Sequence, residues 1–503
     1  MLQIKITCLI LFVVMQLTSC AVGPDYKRPK VQVPPTYKEL RHNHVVWKTL
    51  NPSAALDRGQ WWHLYHDAEL NRLETHLTKY NYNIASAYAN YRQACALVDA
   101  ARASFFPTLS FAAALTRQKS SSGSISASTG IASTSTTTAT SQIFSTHSLI
   151  MSAAWAPDIW GAVRRNVEAN LANAQANKAL YANTRLSMQG SLAQFYFELR
   201  TLDAIQQLLN ETVANDKKAL RLTKNQYRAG VASRADVITA QTQLDTVTAQ
   251  AINNQVNRAT YEHAIAVLIG IPPVEFSLKA KANALKAPPK LPVSLPSTLL
   301  ERRPDVAAAE QMVVQANAQI GVAVAAYFPV VNLVGNVNAS GKGGLAQLFN
   351  IPTLAWSYGV QVTDVVFDGG LRAANIKAAQ AGYDSKVATY RQTVLTAFQN
   401  VEDNLSSLRI LKKQSIVEKR AARHAKEALQ LTINQYKAGT VPYSSVITAQ
   451  NNWYTTQNNV ITVEGLRLSA SVGLIMALGG GWEGLPPLTD ALSCQGVKEC
   501  GRE

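Results

Sequence analysis

Leu192, Phe195, Leu199, Leu202, Ile205, Leu209 and Val213 recur in steps of three and four, the spacing of one face of an α-helix. Asn, Gln, Lys and Asp fill the positions between them, as in coiled-coil-like packing with water on one side. Proline, the strongest helix breaker, is absent between Pro157 and Pro272 and again between Pro352 and Pro442. The spacing predicts a helix over about 164–228, roughly 95 Å long at ~1.5 Å per residue. A second long helix is predicted over about 372–437. Tyr227-Arg228-Ala229-Gly230 and Tyr436-Lys437-Ala438-Gly439 read as their C-terminal ends, with Gly230 and Gly439 at the caps. New helices follow from about 234 and 443, so each pair forms a long helical hairpin.

The period shortens from 3.6 to 2 beside Phe105-Phe106-Pro107 and Tyr327-Phe328-Pro329. Leu109, Phe111, Ala113 and Leu115 alternate with Ser110, Ala112, Ala114 and Thr116. Leu149, Met151, Ala153 and Trp155 alternate with Ser148, Ile150, Ser152 and Ala154. In the second half, Val331, Leu333, Gly335 and Val337 form one such face, and Leu354, Trp356, Tyr358, Val360 and Val362 another. Each run is about ten residues, the length of a tilted transmembrane β-strand with an apolar outer and a polar or small inner face. Strands of a soluble sandwich alternate in the same way. Four strands cannot close a barrel, and open edges cannot stand in lipid, where no water satisfies their amides. An oligomer sharing one barrel is expected. The connection over 119–146 is Ser or Thr at 17 of 28 positions and reads as a flexible outer loop. Its counterpart, 340–352, is short.

The two halves are copies. Ala219-Leu220-Arg221-Leu222-Thr223 and Val237-Ile238-Thr239-Ala240-Gln241 return as Ala428-Leu429-Gln430-Leu431-Thr432 and Val446-Ile447-Thr448-Ala449-Gln450, both at an offset of 209. The two Phe-Pro landmarks lie 222 apart, so the second copy is 13 residues shorter between them. A framework made by duplication is expected, and the period is far too long for a solenoid.

The amino end changes the picture further. Lys5, an apolar run from Ile6 to Val14, and Leu17-Thr18-Ser19-Cys20 read as an export signal ending in a lipobox, with cleavage before a diacylated Cys20. The run is too short to span a bilayer, and no later stretch reaches 18 uninterrupted apolar residues. Cys95 reads as a core residue of a helix, and Cys494 and Cys500 close a short loop that an exported chain can oxidise. The net charge of +16 comes from scattered Lys and Arg, without the dense runs and interleaved aromatics of a nucleic-acid surface. His63 and His66, with His42 and His44, are the only dense histidines, and no Cys lies near them to complete a zinc set. No Gly-x-Ser-x-Gly, Walker loop or His-Glu-x-x-His is present, and carboxylates are sparse. Neither an enzyme nor a metal or cofactor site is expected.

Cys20-Ala21-Val22-Gly23-Pro24-Asp25-Tyr26, Trp61-Trp62 with Asp67 and Leu70, and Leu300-Glu301-Arg302-Arg303-Pro304-Asp305-Val306 resemble the NodT-type outer-membrane efflux lipoproteins of the TolC-like family. The resemblance spans almost the whole mature chain. It implies a homotrimer with a 12-stranded β-barrel, four strands per chain, above a long periplasmic α-barrel. The implied partners are a periplasmic adaptor and an inner-membrane pump of the proton-driven RND type, with outer-membrane lipid around the barrel. The expected division is a signal peptide (1–19), a lipid-anchored extended segment (20–66), two structural repeats (67–283 and 284–480) and a tail (481–503). The expected role is a passive exit duct for drugs and other toxic small molecules. A type I secretion duct for polypeptides and a pore-less lipid-anchored scaffold are the rivals. The resemblance also implies a gate at the hairpin turns, where Asp236 and Tyr436 match positions of a closing network. Ser445 and Thr448 fall where the family usually lines its constriction with aspartate, and Val441 replaces an expected basic residue.

Overall fold

The computed structural model of the chain describes residues 21–41, 60–120, 142–281, 285–289, 303–342 and 354–480. Helices α1 (Ala68–Tyr80) and α2 (Tyr82–Ala103) lead into strands β1 (Thr108–Ser120) and β2 (Gln142–Trp155). The hairpin α3 (Ala162–Arg228) and α4 (Arg234–Leu268) follows. The second copy runs α5 (Pro304–Ala325), β3 (Val330–Lys342), β4 (Leu354–Thr363), α6 (Leu371–Lys437) and α7 (Tyr443–Ala477). α2 and α5 are both 22 residues long, α3 and α6 both 67, and α4 and α7 both 35. Both long helices therefore start and stop within two residues of the boundaries that Pro, Gly and the apolar spacing predict. The strands run further than expected. β1 reaches Ser120 and β2 begins at Gln142, so both ends of the predicted 119–146 loop are ladder, and its Ser/Thr centre lies outside the described residues.

Among the described residues the chain divides into two compact units, each drawing on both repeats: 21–27, 95–120, 142–171, 314–342 and 354–384, and 28–41, 60–94, 172–281, 285–289, 303–313 and 385–480. The first unit holds a four-stranded antiparallel sheet in the order β1-β2-β3-β4. Its register carries Phe111 onto Met151, Met151 onto Val337 and Val337 onto Trp356. A directly paired row shares one face, so all four apolar faces read from the sequence coincide. The next row, Ser110, Ser152, Asn336 and Ser357, is polar throughout and occupies the other face. β1 and β4 each have a neighbour on one side only within the chain. The same unit clamps the amino-terminal segment. Val22 N–H donates to Trp160 O at 3.1 Å, and the nearly buried Arg165 guanidinium donates to Val22 O, Gly23 O and Asp25 Oδ1 at 3.2, 3.4 and 2.8 Å. Asn317 Nδ2 donates to Pro24 O at 2.8 Å. The Val-Gly-Pro-Asp motif is thus held by three backbone carbonyls, the Val22 N–H and the Asp25 carboxylate.

The second unit is helical. Asp67 caps α1 by accepting from Glu69 N and Leu70 N at 3.0 and 3.3 Å, and Leu70, Leu73 and Leu77 turn into a core shared with Trp61 and Tyr65. Tyr65 Oη and Ser471 Oγ share a buried hydrogen bond of 2.7 Å. Glu74 sits in the same stripe, one step after Leu73, fully buried and with neither carboxyl oxygen hydrogen-bonded. Burial pushes its carboxyl well above the usual carboxylate range. The folded chain therefore holds a proton that the unfolded chain releases as pH rises. The associated stability is present below the ordinary Glu value and is lost as pH climbs through the raised one. Glu74→Leu should stabilise the helical part by about 1–3 kcal/mol, with a gain that widens with pH. Urea unfolding at several pH values checks this; a gain independent of pH would place the linked proton on another group.

Candidate functional site at the hairpin turns

The two hairpins turn in the same way. Val231 N–H donates to Gln226 O at 2.9 Å and Thr440 N–H to Gln435 O at 3.1 Å, six-residue closures of the Schellman type. Gly230 and Gly439 have φ of 75° and 76° with open space where a Cβ would stand. The left-handed backbone, not crowding, requires glycine there. The helices that leave the turns start differently. α4 opens with a reciprocal cap in which Ser233 Oγ accepts from Asp236 N at 3.1 Å and Asp236 Oδ2 accepts from Ser233 N at 3.0 Å. α7 opens on Pro442 without a side-chain cap.

At this end of the second unit the hairpins pack on each other through Leu220, Ala240, Leu244, Tyr443 and Val446. Three polar links cross the apolar seam. Tyr436 Oη donates to Gln226 Oε1 at 2.5 Å, joining α6 to α3. Gln450 Nε2 donates to the buried Asp216 Oδ1, joining α7 to α3. Gln243 and Asn451 exchange amide bonds of 2.8 and 3.3 Å, joining α4 to α7. Burial pushes the Asp216 carboxyl up, and the Gln450 and Gln243 amides pull it partly back. Burial first, then the charge of Asp216, pushes the Tyr443 phenol up to about 12, so Tyr443 stays neutral. Its ring meets Tyr436 at 5.3 Å between centroids.

Of the residues expected at a gate, Gly230, Gly439, Asp236 and Tyr436 all lie at this end, but Asp236 and Tyr436 are not bonded to each other within the chain. Asp236 is spent on the α4 cap, and the Tyr436 hydroxyl reaches Gln226 instead. Ser445 and Thr448 lie on the side of α7 away from Tyr443, Val446 and Gln450 at helical spacing; Thr448 is exposed and returns its hydroxyl to Ser444 O at 3.0 Å. Cys20, Cys494 and Cys500 lie outside the described residues. Cys95 is buried in α2 with a free thiol. No group of three metal-ligating side chains occurs among the described residues. Asp216 and Gln226 are not singled out by the sequence. The available signal is periodic: Asp216 falls between Leu209, Val213 and Leu220, where the stripe calls for an apolar residue.

A family model described as outer membrane efflux protein matches residues 76–271 and 295–480. The solvent efflux pump outer membrane protein SrpC of Pseudomonas putida is 27% identical, over 95% of this chain and 99% of that protein. The pyoverdine export outer membrane protein OpmQ of Pseudomonas aeruginosa is 28% identical over 86% and 89%, and the cation efflux system protein CusC of Escherichia coli is 26% identical over 94% and 98%. Among solved structures, the outer-membrane channel OprN superposes with a TM-score of 0.81 at 26% identity, over 92% of this chain and all of that one. The Campylobacter jejuni CmeC channel, at 21% identity, shares the fold with a TM-score of 0.83, over 94% of this chain and 97% of that one.

Proposed function

Because the chain belongs to the outer membrane efflux protein family, we propose that three copies form one passive exit duct, driven by an inner-membrane pump through a periplasmic adaptor. As an outer-membrane efflux channel, the protein resides in the outer membrane and extends into the periplasm. The observation that supports a barrel shared between copies is the sheet: one continuous apolar face, one face of mostly polar and small residues, and two edges left open within the chain. Lipid tolerates strands only in a closed barrel, so further copies must complete the ring. The duct supplies a wall and a gate; the free energy comes from the pump.

The three relatives named above carry, by their names, solvents, pyoverdine and cations. A small toxic organic solute suits this chain better than a metal cation, because Ser445 and Thr448 bring no fixed negative charge to the expected constriction. Weak cation selectivity follows. The gate is the seam between the hairpins, closed by the Tyr436–Gln226, Gln450–Asp216 and Gln243–Asn451 links together with contacts between chains at Asp236. Cys20 carries the lipid, and Ala21 after it, in place of the Asp associated with inner-membrane retention, directs the protein outward. Detergent-extracted protein should run as a trimer, conduct ions in planar bilayers and show an acylated N-terminal Cys by mass spectrometry. A non-conducting monomer would overturn the duct, and an unmodified mature N-terminus the anchor.

A further inference from the structure

Resting on the shared-barrel reading above, we infer that Phe367 of one copy packs on Phe106 of the next, remaking between chains a contact that the duplication makes once within each chain. The starts of β1 and β3 and the ends of β2 and β4 lie at one end of the sheet, since Thr108 pairs with Ala154 and Val330 with Thr363. Where β2 stands beside β3, aromatic side chains seal this end. The Trp160 ring, just past β2, stacks on Phe328, just before β3, at 4.8 Å between centroids and 21° between planes. The Trp160 indole N–H donates to Pro329 O at 2.8 Å, and both rings are half-buried.

The duplication supplies a second set of the same parts and leaves it apart within the chain. Phe106-Pro107 before β1 repeats Phe328-Pro329 before β3 at the offset of 222. Both strand exits also use one device, an Asp that caps the long helix and clasps an Arg. Asp158 accepts from Val163 N and Arg164 N at 2.9 Å each and from Arg164 Nε at 3.2 Å. Asp368 accepts from Arg372 N at 3.1 Å and Nε at 2.7 Å. The aromatic residue of each exit stands beside its Asp: Trp160 two positions after Asp158, Phe367 one position before Asp368. Trp160 has its partner, but Phe106 is 69% exposed and Val366 and Phe367 are 94% and 87% exposed. Phe106 and Phe367 cannot meet within the chain, because β2 and β3 separate β1 from β4, a gap of about 14 Å at ~4.8 Å per strand.

The turn that carries Val366 and Phe367 is held, not loose. The Arg372 guanidinium donates from Nη2 to Val365 O and from Nη1 to Asp364 Oδ1 at 3.4 Å, and it lies over the Tyr327 ring at 5.0 Å. A fixed turn that keeps two large apolar side chains in water forgoes their burial free energy until something covers them. A second copy of this chain supplies the cover. In a closed ring β4 of one copy stands beside β1 of the next, as β2 stands beside β3 within the chain, so Phe367 reaches Phe106-Pro107 as Trp160 reaches Phe328-Pro329. Contacts between successive strand hairpins then alternate around the ring, Trp160 on Phe328 within a chain and Phe367 on Phe106 between chains.

The test uses the full-length protein in detergent, in a Cys494→Ser/Cys500→Ser background, with its oligomeric state recorded first. A monomer at that stage overturns the duct reading and this contact with it. In the trimer, a Phe106→Cys/Phe367→Cys variant treated with a short bismaleimide should give covalent dimers and trimers on denaturing gels, and each single variant should give none. A Trp160→Cys/Phe328→Cys variant should crosslink within the chain only. Phe106→Ala and Phe367→Ala should each speed heat dissociation of the trimer by about tenfold, and the double variant should add little, as for two halves of one contact. A trimer whose paired cysteines give no product between chains, or in which the two Ala effects simply add, overturns the proposal and leaves the duct standing. So does a Phe367→Ala trimer of unchanged stability with weaker retention in lipid, because Phe367 is then an anchor at the membrane interface.

Discussion

Cutting the three polar links between the hairpins, in a Gln226→Ala/Gln450→Ala/Asn451→Ala variant, should raise the open population of the pore more than tenfold. Each buried or half-buried link contributes about 0.5–1.5 kcal/mol net, and somewhat more where Asp216 is ionised. Removing three per chain therefore costs the closed form about 1.5–4.5 kcal/mol, where ~1.4 kcal/mol is a factor of ten. The apolar seam of Leu220, Leu244 and Val446 is untouched, so the hairpins stay folded while their closed arrangement loses its advantage. Single-channel recordings should show longer and larger openings, and cells should become sensitive to antibiotics too large for porins. Tyr436→Phe alone should show a smaller effect through loss of the Gln226 bond. Asp236→Ala has a further route besides the contacts between chains, because it removes the reciprocal half of the α4 cap, the bonds from Ser233 to the Asp236 carboxylate, while Ser233 Oγ still accepts from the backbone N–H of residue 236. Unchanged conductance in the triple variant would show that the seam does not close the pore.

Barrel insertion gives the second large effect. Trp356→Asp or Phe111→Asp should each hinder membrane insertion by roughly 2 kcal/mol near the midplane, while Ser357→Asp, one residue on, should insert almost as wild type. The contrast follows from the register, which puts Phe111 and Trp356 on one row and Ser110 and Ser357 on the next. Phe111 and Trp356 lie on opposite edge strands, so their agreement tests the whole sheet. Heat-modifiable mobility on gels and protease protection in outer-membrane fractions report insertion. Loss of insertion in Ser357→Asp equal to that in Trp356→Asp would mean the faces are reversed.

What the sequence carried of this molecule depends on the range of the interaction. Helix ends were legible because a glycine with a left-handed backbone or a proline marks them locally, as at Gly230, Gly439 and Pro442. Strand faces were legible because alternation is local too. The ends of β1 and β2 were not, because Ser and Thr serve a ladder and a loop equally well, and pairing across the strands decides. The partner of Tyr436 was also hidden. Which residue of α3 its hydroxyl meets depends on the relative phase of two 67-residue helices, set by packing along the seam rather than by any motif. Gln226 lies one residue before the conspicuous Tyr227, and Asp216 lies inside an apolar stripe where its polarity reads as an interruption.

The equal lengths of the paired helices have a consequence for how this chain can change. α3 and α6 must end level, as must the starts of α4 and α7, if six turns in a trimer are to meet in one plane. A lone deletion of one heptad in α6 would lift three of the six turns by about 10 Å at ~1.5 Å per residue, leaving a ragged rim that neither seals nor seats a partner. Insertions and deletions in these helices are thus tied together across the duplication: one accepted in the first copy calls for its twin in the second. The loops between strands carry no such bond, and the 13 residues by which the two copies differ fall there or nearby, between the start of β1 and the start of α3.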